Sequence, residues 1–454
     1  MNKEKKYKYI ILGAGPSGLS FALRLLELGE DSFLILEKET EAGGLCRSAS
    51  VDGTPLDMGG GHFLDVRKKN VLDFIFTYLP EEEWQHFERK STIQLQEYKI
   101  DFPFESNIWQ FPKKIQKEYL DSIAKAGCNT GQPMPEKFED WIYWKLGDKI
   151  AADYMIPYNK KIWSIDLNRL GAYWLYKLPN VSYEDTLWSC EHNRHKGDIP
   201  AHARFLYPKN YGCGEVWKRM AAALAGKIVF DTPVRSLDFD NLIVNEEYEG
   251  RIIVNTAPWT ELLESPGLPG FIKTEINRLE YASIQVTYCS EHPGTDSHWV
   301  YMPDEELSHH RIVCRCNFSA GAKGYWTETN TKRVNADGQN GSPSSESEAN
   351  QTPLSGEAFR GGKSEANQKF LEVQKPFFKK VFGRRRQESW YHVNKYAYPV
   401  NTVDKPQAIK AILDWCEKKS VFGLGRWGEW EHVNSDGAVE NGMNLAEKLF
   451  KETK

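Results

Sequence analysis

The chain lacks any apolar run long enough to serve as a signal peptide or to cross a membrane. Met1-Asn2-Lys3-Glu4-Lys5-Lys6 leads directly into an apolar strand pattern, so a cytoplasmic location is expected. It also lacks positive charge in excess. A formal net charge of −5 gives no general attraction to nucleic acid, and Lys379-Lys380 with Arg384-Arg385-Arg386 reads as a solvated face or helix end. The eight cysteines include no pairs at metal-ligand spacing. Cys314-x-Cys316 would put its thiols on opposite faces of a strand, so no metal is expected and the thiols should be reduced. Large apolar residues nearly vanish between positions 330 and 368, where Ser, Gly, Asn, Glu and Gln dominate. Such a stretch cannot bury enough surface to offset its ordering entropy, and a disordered insertion is expected there.

Glycine, by contrast, is placed with care. In Ile10-Ile11-Leu12-Gly13-Ala14-Gly15-Pro16-Ser17-Gly18 an apolar strand runs into Gly-x-Gly-x-x-Gly. A helical pattern follows at 19–28, and a second apolar strand at 33–36 ends at Glu37-Lys38. Gly13 permits the tight turn, Gly15 lets the backbone approach a pyrophosphate, and Gly18 lets the helix pack close to the strand. The helix N-terminus at Pro16 and Ser17 offers free N–H groups to phosphate, and Glu37 is placed to accept hydrogen bonds from an adenosine ribose. A glycine-rich turn without a ligand is the simpler alternative. Strand, helix, strand and acid in this order favour a dinucleotide.

Two further glycine clusters point to a flavin. They are Gly43-Gly44-Leu45-Cys46-Arg47 and Asp57-Met58-Gly59-Gly60-Gly61-His62. Paired glycines let a chain lie flat against an isoalloxazine ring or a phosphate. Near the C-terminus, Gly425-Arg426-Trp427-Gly428 precedes Asp436-Gly437-Ala438 and a helical pattern at 439–450, whose dipole would favour the charge that builds up on a reduced flavin. An ordinary capped helix is the alternative. With Pro233-Val234 in a returning segment, the cofactor set becomes Gly43, Gly44, Leu45, Gly60, Gly61, His62, Val234, Gly425, Arg426, Asp436 and Ala438, and the expected cofactor is FAD.

The expected class is α/β. A Rossmann-type FAD-binding domain is drawn from 1–80, 200–275 and 416–454. A mostly helical domain at 81–199 and a strand-rich, antiparallel substrate domain at 276–415 are inserted into it. Fifteen Trp, 21 Tyr and 22 Phe suit a site that stacks rings or sugars, although cores use them too.

The glycine motifs resemble the flavoprotein group of amine oxidases, protoporphyrinogen oxidases and UDP-galactopyranose mutases. Other blocks are most similar to the eukaryotic-type mutases. These are Asp101-Phe102-Pro103-Phe104-Glu105-Ser106-Asn107-Ile108, Pro157-Tyr158-Asn159-Lys160-Lys161-Ile162-Trp163, Tyr207-Pro208 with Gly212-Cys213-Gly214, Trp299-Val300-Tyr301 with Arg311 and Asn317-Phe318-Ser319, Tyr398-Pro399, and Gly425-Arg426-Trp427-Gly428-Glu429-Trp430. The resemblance covers nearly the whole chain outside the insertion. It implies that Tyr301, Arg311 and Tyr398 bind a substrate pyrophosphate. It places Phe102, Glu105, Trp163, Lys177, His202 and His432 along the substrate, and His62 in the loop against the flavin. From chemistry alone, Arg311 presents a planar fork suited to phosphate and the tyrosines offer hydroxyls. A surface arginine with a solvated partner, and a buried, hydrogen-bonded histidine, are the plainer readings.

The chain departs from the mutases in several places. Lys177-Leu178 stands where they carry a second phosphate-binding arginine, and Lys177 replaces its charge but not its bidentate geometry. Phe318 replaces a tyrosine, His432 a tyrosine, and His202 an asparagine, while Phe102 and Glu105 replace a tyrosine and a glutamine. One lost charge-assisted contact costs about 1.5–3 kcal/mol. These departures leave the sugar and the base open, while the resemblance as a whole implies a mutase-like ring contraction of a nucleotide sugar, pyranose to furanose, for cell-surface polysaccharide biosynthesis. In that family the N5 of reduced FAD is the nucleophile, and the substrate groups here would be His62 and Arg311 with the tyrosines. NAD(P)H is then an external reductant. An FAD-dependent oxidoreductase of the amine oxidase or protoporphyrinogen oxidase kind is the alternative, and a flavin-binding protein without turnover a third. The partner in each active case is a small molecule.

Overall fold

The structure, a computed structural model, describes residues 5–175, 178–197, 202–336 and 388–453. Lys177 and most of the 330–368 insertion lie outside the described residues.

Three apolar segments form the middle of a parallel sheet. Lys5–Leu12 lies between Phe33–Leu36 and Tyr248–Asn255, and Ile228–Val229 and Val421–Gly423 add to the two sides. Ile10, Ile11 and Leu12 are all fully buried, as a strand covered on both faces requires. Leu237–Asp238 and Ile243–Val244 complete one edge in antiparallel fashion. The helix Pro16–Glu27 covers one face and is itself covered by the C-terminal helix Ser435–Glu452. Gly442 sets their separation, because a Cβ there would come within 2.1 Å of Ser20 Oγ and 2.6 Å of the Ser17 carbonyl oxygen. The C-terminal helix begins before the expected 439, which puts Asp436 and Ala438 in its first turn.

A second sheet has the order Glu388–Pro399, Tyr281–Cys289, Tyr325–Asn330, Arg311–Val313, Trp299–Tyr301, Ser91–Leu95 and Tyr98–Asp101. Its last two strands fall at the start of the block expected to be mostly helical, ahead of that block's helices. Trp84–Glu88 is also a strand and pairs with Arg204–Pro208. Ser91–Leu95 is held by a parallel pairing with Trp299–Tyr301, about 200 residues away, a non-local contact that no local pattern announces. Helices take over further on, at Lys113–Ala124, Phe138–Ile150, Ile156–Trp163 and Tyr183–His192. Phe104, Phe111 and Tyr119 form their shared ring core. The block expected to be strand-rich likewise ends in a helix, Lys405–Glu417. Cys314 follows the end of its strand, and Cys316 lies in a 3-10 turn, so the opposite-face argument for that pair does not apply; both are free thiols.

Arg315 ties the second sheet to the hairpin of Ser48–Val51 and Thr54–Asp57, which leads into the glycine loop before His62. Its fully buried guanidinium donates to the carbonyls of Lys323, Pro55 and Val51 and stacks over Tyr288. Among the described residues, no helix is long and apolar enough to cross a membrane, and no cluster of His, Cys, Asp and Glu could hold a metal ion.

Candidate active site

The glycine segments meet where the parallel sheet ends. Gly13 has a φ of 108°, and a Cβ on Gly18 would lie 2.1 Å from the Gly13 carbonyl oxygen, so turn and helix fit together only without side chains. The helix starting at Pro16 has no capping side chain and no acid in its first turn, which leaves its N–H groups and dipole available to an anion. Gly43 donates its N–H to the Ala14 carbonyl and Gly44 packs against Gly15, so two backbones without side chains flank the same space. Leu45 follows in a 3-10 turn. Glu37, 4% exposed, closes the far end, accepting from the N–H groups of Ala14 and Glu39 at 2.6 and 3.0 Å. Burial raises its carboxyl above the usual range, against those two hydrogen bonds. Thr232 donates to the Glu37 carbonyl and brings Val234 alongside. Lys38 does not join this group; its side chain is 61% exposed and extends toward Glu39.

Gly425 packs on Ser17, and Arg426 projects from the same turn. All three guanidinium nitrogens of Arg426 donate to backbone carbonyls, of Val433 and Ala397. Burial lowers its pKa, and its charge acts on both His62 and Cys46. His62 Nε2 is buried with no hydrogen-bond partner. Burial and the Arg426 charge push its pKa down to about 3, so the imidazole is neutral near pH 7. Asp436 Oδ1 is the second buried, unpartnered polar atom here, while its other oxygen is 3.6 Å from Lys68. Gly60 and Gly61 connect His62 to the second sheet, where the Cβ position of Gly60 is 2.7 Å from Glu328 Oε1. A cradle of bare backbone, an uncapped helix end, an acid at the second strand and two buried, unpartnered polar atoms suit an extended dinucleotide with a planar ring system.

Beyond His62 the second sheet supplies Arg311, Tyr301 and Tyr398. Arg311 and Glu328 occupy paired positions on neighbouring strands. Arg311 Nε and Nη2 both donate to Glu328 Oε2, at 3.0 and 2.5 Å, and Tyr398 Oη lies 3.5 Å from Nη2. Burial alone would weaken Arg311 as a base, but Glu328 more than reverses this. Burial would likewise raise the Glu328 carboxyl, yet Arg311 and His310 hold it down at about 2. Arg311, for which a solvated partner was the plainer alternative, has a buried one, 1% exposed.

Tyr301 stands against Tyr158, ring centroids 5.5 Å apart, and Phe102 at 5.2 Å. Trp163 is buried, bonded to Asn159 and in edge contact with Tyr398 at 6.4 Å, so it serves as a wall. The His432 ring lies tilted against Tyr398, centroids 5.1 Å apart. Glu105 stands farther along, beside Tyr154 and Lys145, and burial raises its carboxyl. His202 has a φ of 57° and donates its N–H to Asp65, and the charges of Asp436 and Arg89 act on its ring. Phe318, in place of the family's tyrosine, lies in a closed ring cluster with Phe63, Tyr207 and Trp326, where a hydroxyl would need a buried partner. Sequence reasoning missed Glu328, Tyr158 as a hydroxyl donor, His310 and Arg89. Only Tyr158 had a local signal, in the Pro157–Trp163 block.

The mostly parallel sheet with its glycine cradle and the mixed sheet facing it define an α/β dinucleotide-binding fold. Residues 11–78 match the NAD(P)-binding Rossmann-like domain family. The chain has the fold of UDP-galactopyranose mutase: 98% of it aligns with 94% of a crystal structure of the reduced enzyme, with a TM-score of 0.82 and 20% identity. Cyclohexylamine oxidase from Brevibacterium oxydans aligns over 98% of this chain and 99% of its own, with a TM-score of 0.64 and 16% identity. Among curated sequences, an uncharacterized protein in the nifH2 3' region of Methanothermococcus thermolithotrophicus is 48% identical over 52 residues, 12% of this chain and 49% of that protein. UDP-galactopyranose mutase from Mycoplasma pneumoniae is 25% identical over 178 residues, 36% of this chain and 42% of that protein. The chain therefore spans less than half the length of the curated relatives it matches.

Proposed function

We propose that this protein is an FAD-dependent isomerase that interconverts the pyranose and furanose rings of a nucleotide sugar for cell-surface polysaccharide synthesis. The observation that carries this reading is the cluster of Arg311 with the hydroxyls of Tyr158, Tyr301 and Tyr398 next to buried, neutral His62. One planar cation surrounded by phenols suits a diphosphate. Gly13, Gly15, Ser17 and Gly18 with Glu37, Gly43 and Gly44 would hold the FAD pyrophosphate and ribose. His62, Arg426 and the helix start at Asp436 would stand at its ring. FAD held there and reduced, with NAD(P)H as external reductant, would supply a nucleophile that is not consumed in turnover. The chain's own residues do the rest. Arg311 and the tyrosines bind and orient the diphosphate, Trp163 and Phe102 exclude water, and His62 adds no charge near pH 7.

A second reading, an FAD-dependent oxidoreductase, has two supports: Glu328 already neutralises Arg311, and Lys177 stands where the family's second arginine would be. Titration of the FAD-loaded protein with UDP tests the first. The Arg311→Ala variant should bind UDP roughly tenfold to a hundredfold more weakly with FAD content unchanged, the loss of a contact worth about 1.5–3 kcal/mol. Failure of every UDP-, dTDP-, GDP- or CDP-linked compound to bind at millimolar concentration overturns it.

A further inference from the structure

A diphosphate carries two negative charges or more, while the arginine expected to meet it is already matched by a buried carboxylate. Arg426 is committed to three carbonyl bonds. A further cation lies on the other side of Tyr301. Arg89, on the turn between the strands Trp84–Glu88 and Ser91–Leu95, is sandwiched between Phe102 and Trp299, its guanidinium carbon 4.4 and 4.8 Å from the two ring centroids. Its Nε donates to Ser91 Oγ at 2.7 Å and its Nη2 to Tyr301 Oη at 2.9 Å. The same phenol oxygen also accepts from Trp299 Nε1 at 3.0 Å.

Two donors aimed at one phenol oxygen occupy its lone pairs, and only its own proton is left to give. Among the described residues no protein acceptor takes that proton, while Tyr158 and the Arg311 charge stand beside the ring. We propose that Arg89 is the second cation of the diphosphate site and acts through Tyr301, fixing the phenol as an outward donor to an anionic oxygen of the ligand. The inference rests on the nucleotide-sugar reading above and supplies the positive charge that reading lacks. Arg89 is a positioning residue here. Its contact with the ligand is made by Tyr301, and a charged neighbour strengthens the hydrogen bond the phenol donates.

The test is a double-mutant cycle on the FAD-loaded protein, with UDP and inorganic pyrophosphate as probes. Arg89→Met keeps the apolar stem between the two rings, and Arg89→Lys keeps the charge without the fork. FAD content and circular dichroism establish that each variant is folded. Arg89→Met and Tyr301→Phe should each weaken UDP binding tenfold or more. The double variant should bind within about threefold of Tyr301→Phe alone, because the arginine has no route left once the hydroxyl is gone. Arg89→Lys should fall between the wild type and Arg89→Met. Additive losses, or an Arg89→Met protein that binds like the wild type, overturn the inference.

A second measurement separates its failure from that of the nucleotide-sugar reading. Inorganic pyrophosphate carries the diphosphate without nucleoside or sugar, so the same cycle is run with it alone. Arg89→Met and Tyr301→Phe should each weaken pyrophosphate binding several-fold, and the double variant should match Tyr301→Phe. Should UDP fail to bind the wild type, the nucleotide reading falls while the pyrophosphate cycle still decides the Arg89–Tyr301 link. Pyrophosphate binding unmoved by Arg89→Met, or additive losses, overturns it.

Discussion

Arg311 and Glu328 sit opposite each other on neighbouring strands, and two guanidinium nitrogens converge on one carboxylate oxygen at 3.0 and 2.5 Å. The other carboxylate oxygen accepts from the Trp326 indole at 3.3 Å. Glu328 therefore orients Arg311 and competes with any anionic ligand for its charge. Glu328→Gln keeps an oxygen for orientation and removes the competition. The variant should bind UDP several-fold more tightly by calorimetry. It should also be less stable by about 1–3 kcal/mol in chemical denaturation, because Arg311 loses its charged partner while part of its side chain stays in water. Weaker UDP binding by a folded Glu328→Gln protein would show that the carboxylate serves the ligand rather than opposing it.

Gly442 makes a separate prediction about the cofactor scaffold. A methyl group there must displace Ser20 Oγ, which can rotate, and the Ser17 carbonyl, which cannot. Ser17 lies in the first turn of the helix that the phosphates are expected to meet. Gly442→Ala should lower stability by about 1–3 kcal/mol, although alanine is the better helix former, and should speed FAD loss on dilution. A stabilised variant would contradict the close packing of these two helices.

Buried histidines set the response to acid. Burial is the main cause that lowers His62 to about 3 and both His298 and His392 to about 4, against an ordinary value of 6.5. All three are neutral in the folded protein and protonated in the unfolded chain between these limits. Unfolding then takes up protons, and stability falls as pH drops from about 6.5 toward 4. At pH 5 these three sites should account for an uptake of about three protons, read from the slope of unfolding free energy against pH. The Glu328 carboxyl, held at about 2 against an ordinary 4.5, adds to the loss only below about pH 4.5. A slope unchanged when His62, His298 and His392 are replaced by Gln would contradict the burial of these rings.

What was legible in the sequence was local. The turn at Gly13–Gly18, the acid at Glu37 and the paired glycines at 43–44 each encode their geometry within a few residues. Arg311, Tyr301 and Tyr398 were legible through whole motif blocks. Strand register was not. Glu328 reaches Arg311 only because their strands pair residue for residue, and Arg89 reaches Tyr301 only because Ser91–Leu95 aligns in parallel with Trp299–Tyr301. The same parallel pairing accounts for strands at the start of a block expected to be mostly helical. The strand ends before Lys38, which leaves its side chain in solvent.

The central claim, ring isomerisation of a nucleotide sugar by a reduced flavoenzyme, is tested most directly by anaerobic turnover. The FAD-loaded protein is reduced with dithionite and incubated with UDP-galactopyranose and related nucleotide sugars, and products and flavin absorbance are followed together. The account predicts pyranose–furanose conversion by the reduced protein, none by the oxidised protein, and no reductant consumed per turnover. Stoichiometric bleaching of the oxidised flavin by a candidate substrate, without isomerisation by the reduced protein, would make this an oxidoreductase on the same fold and contradict the claim.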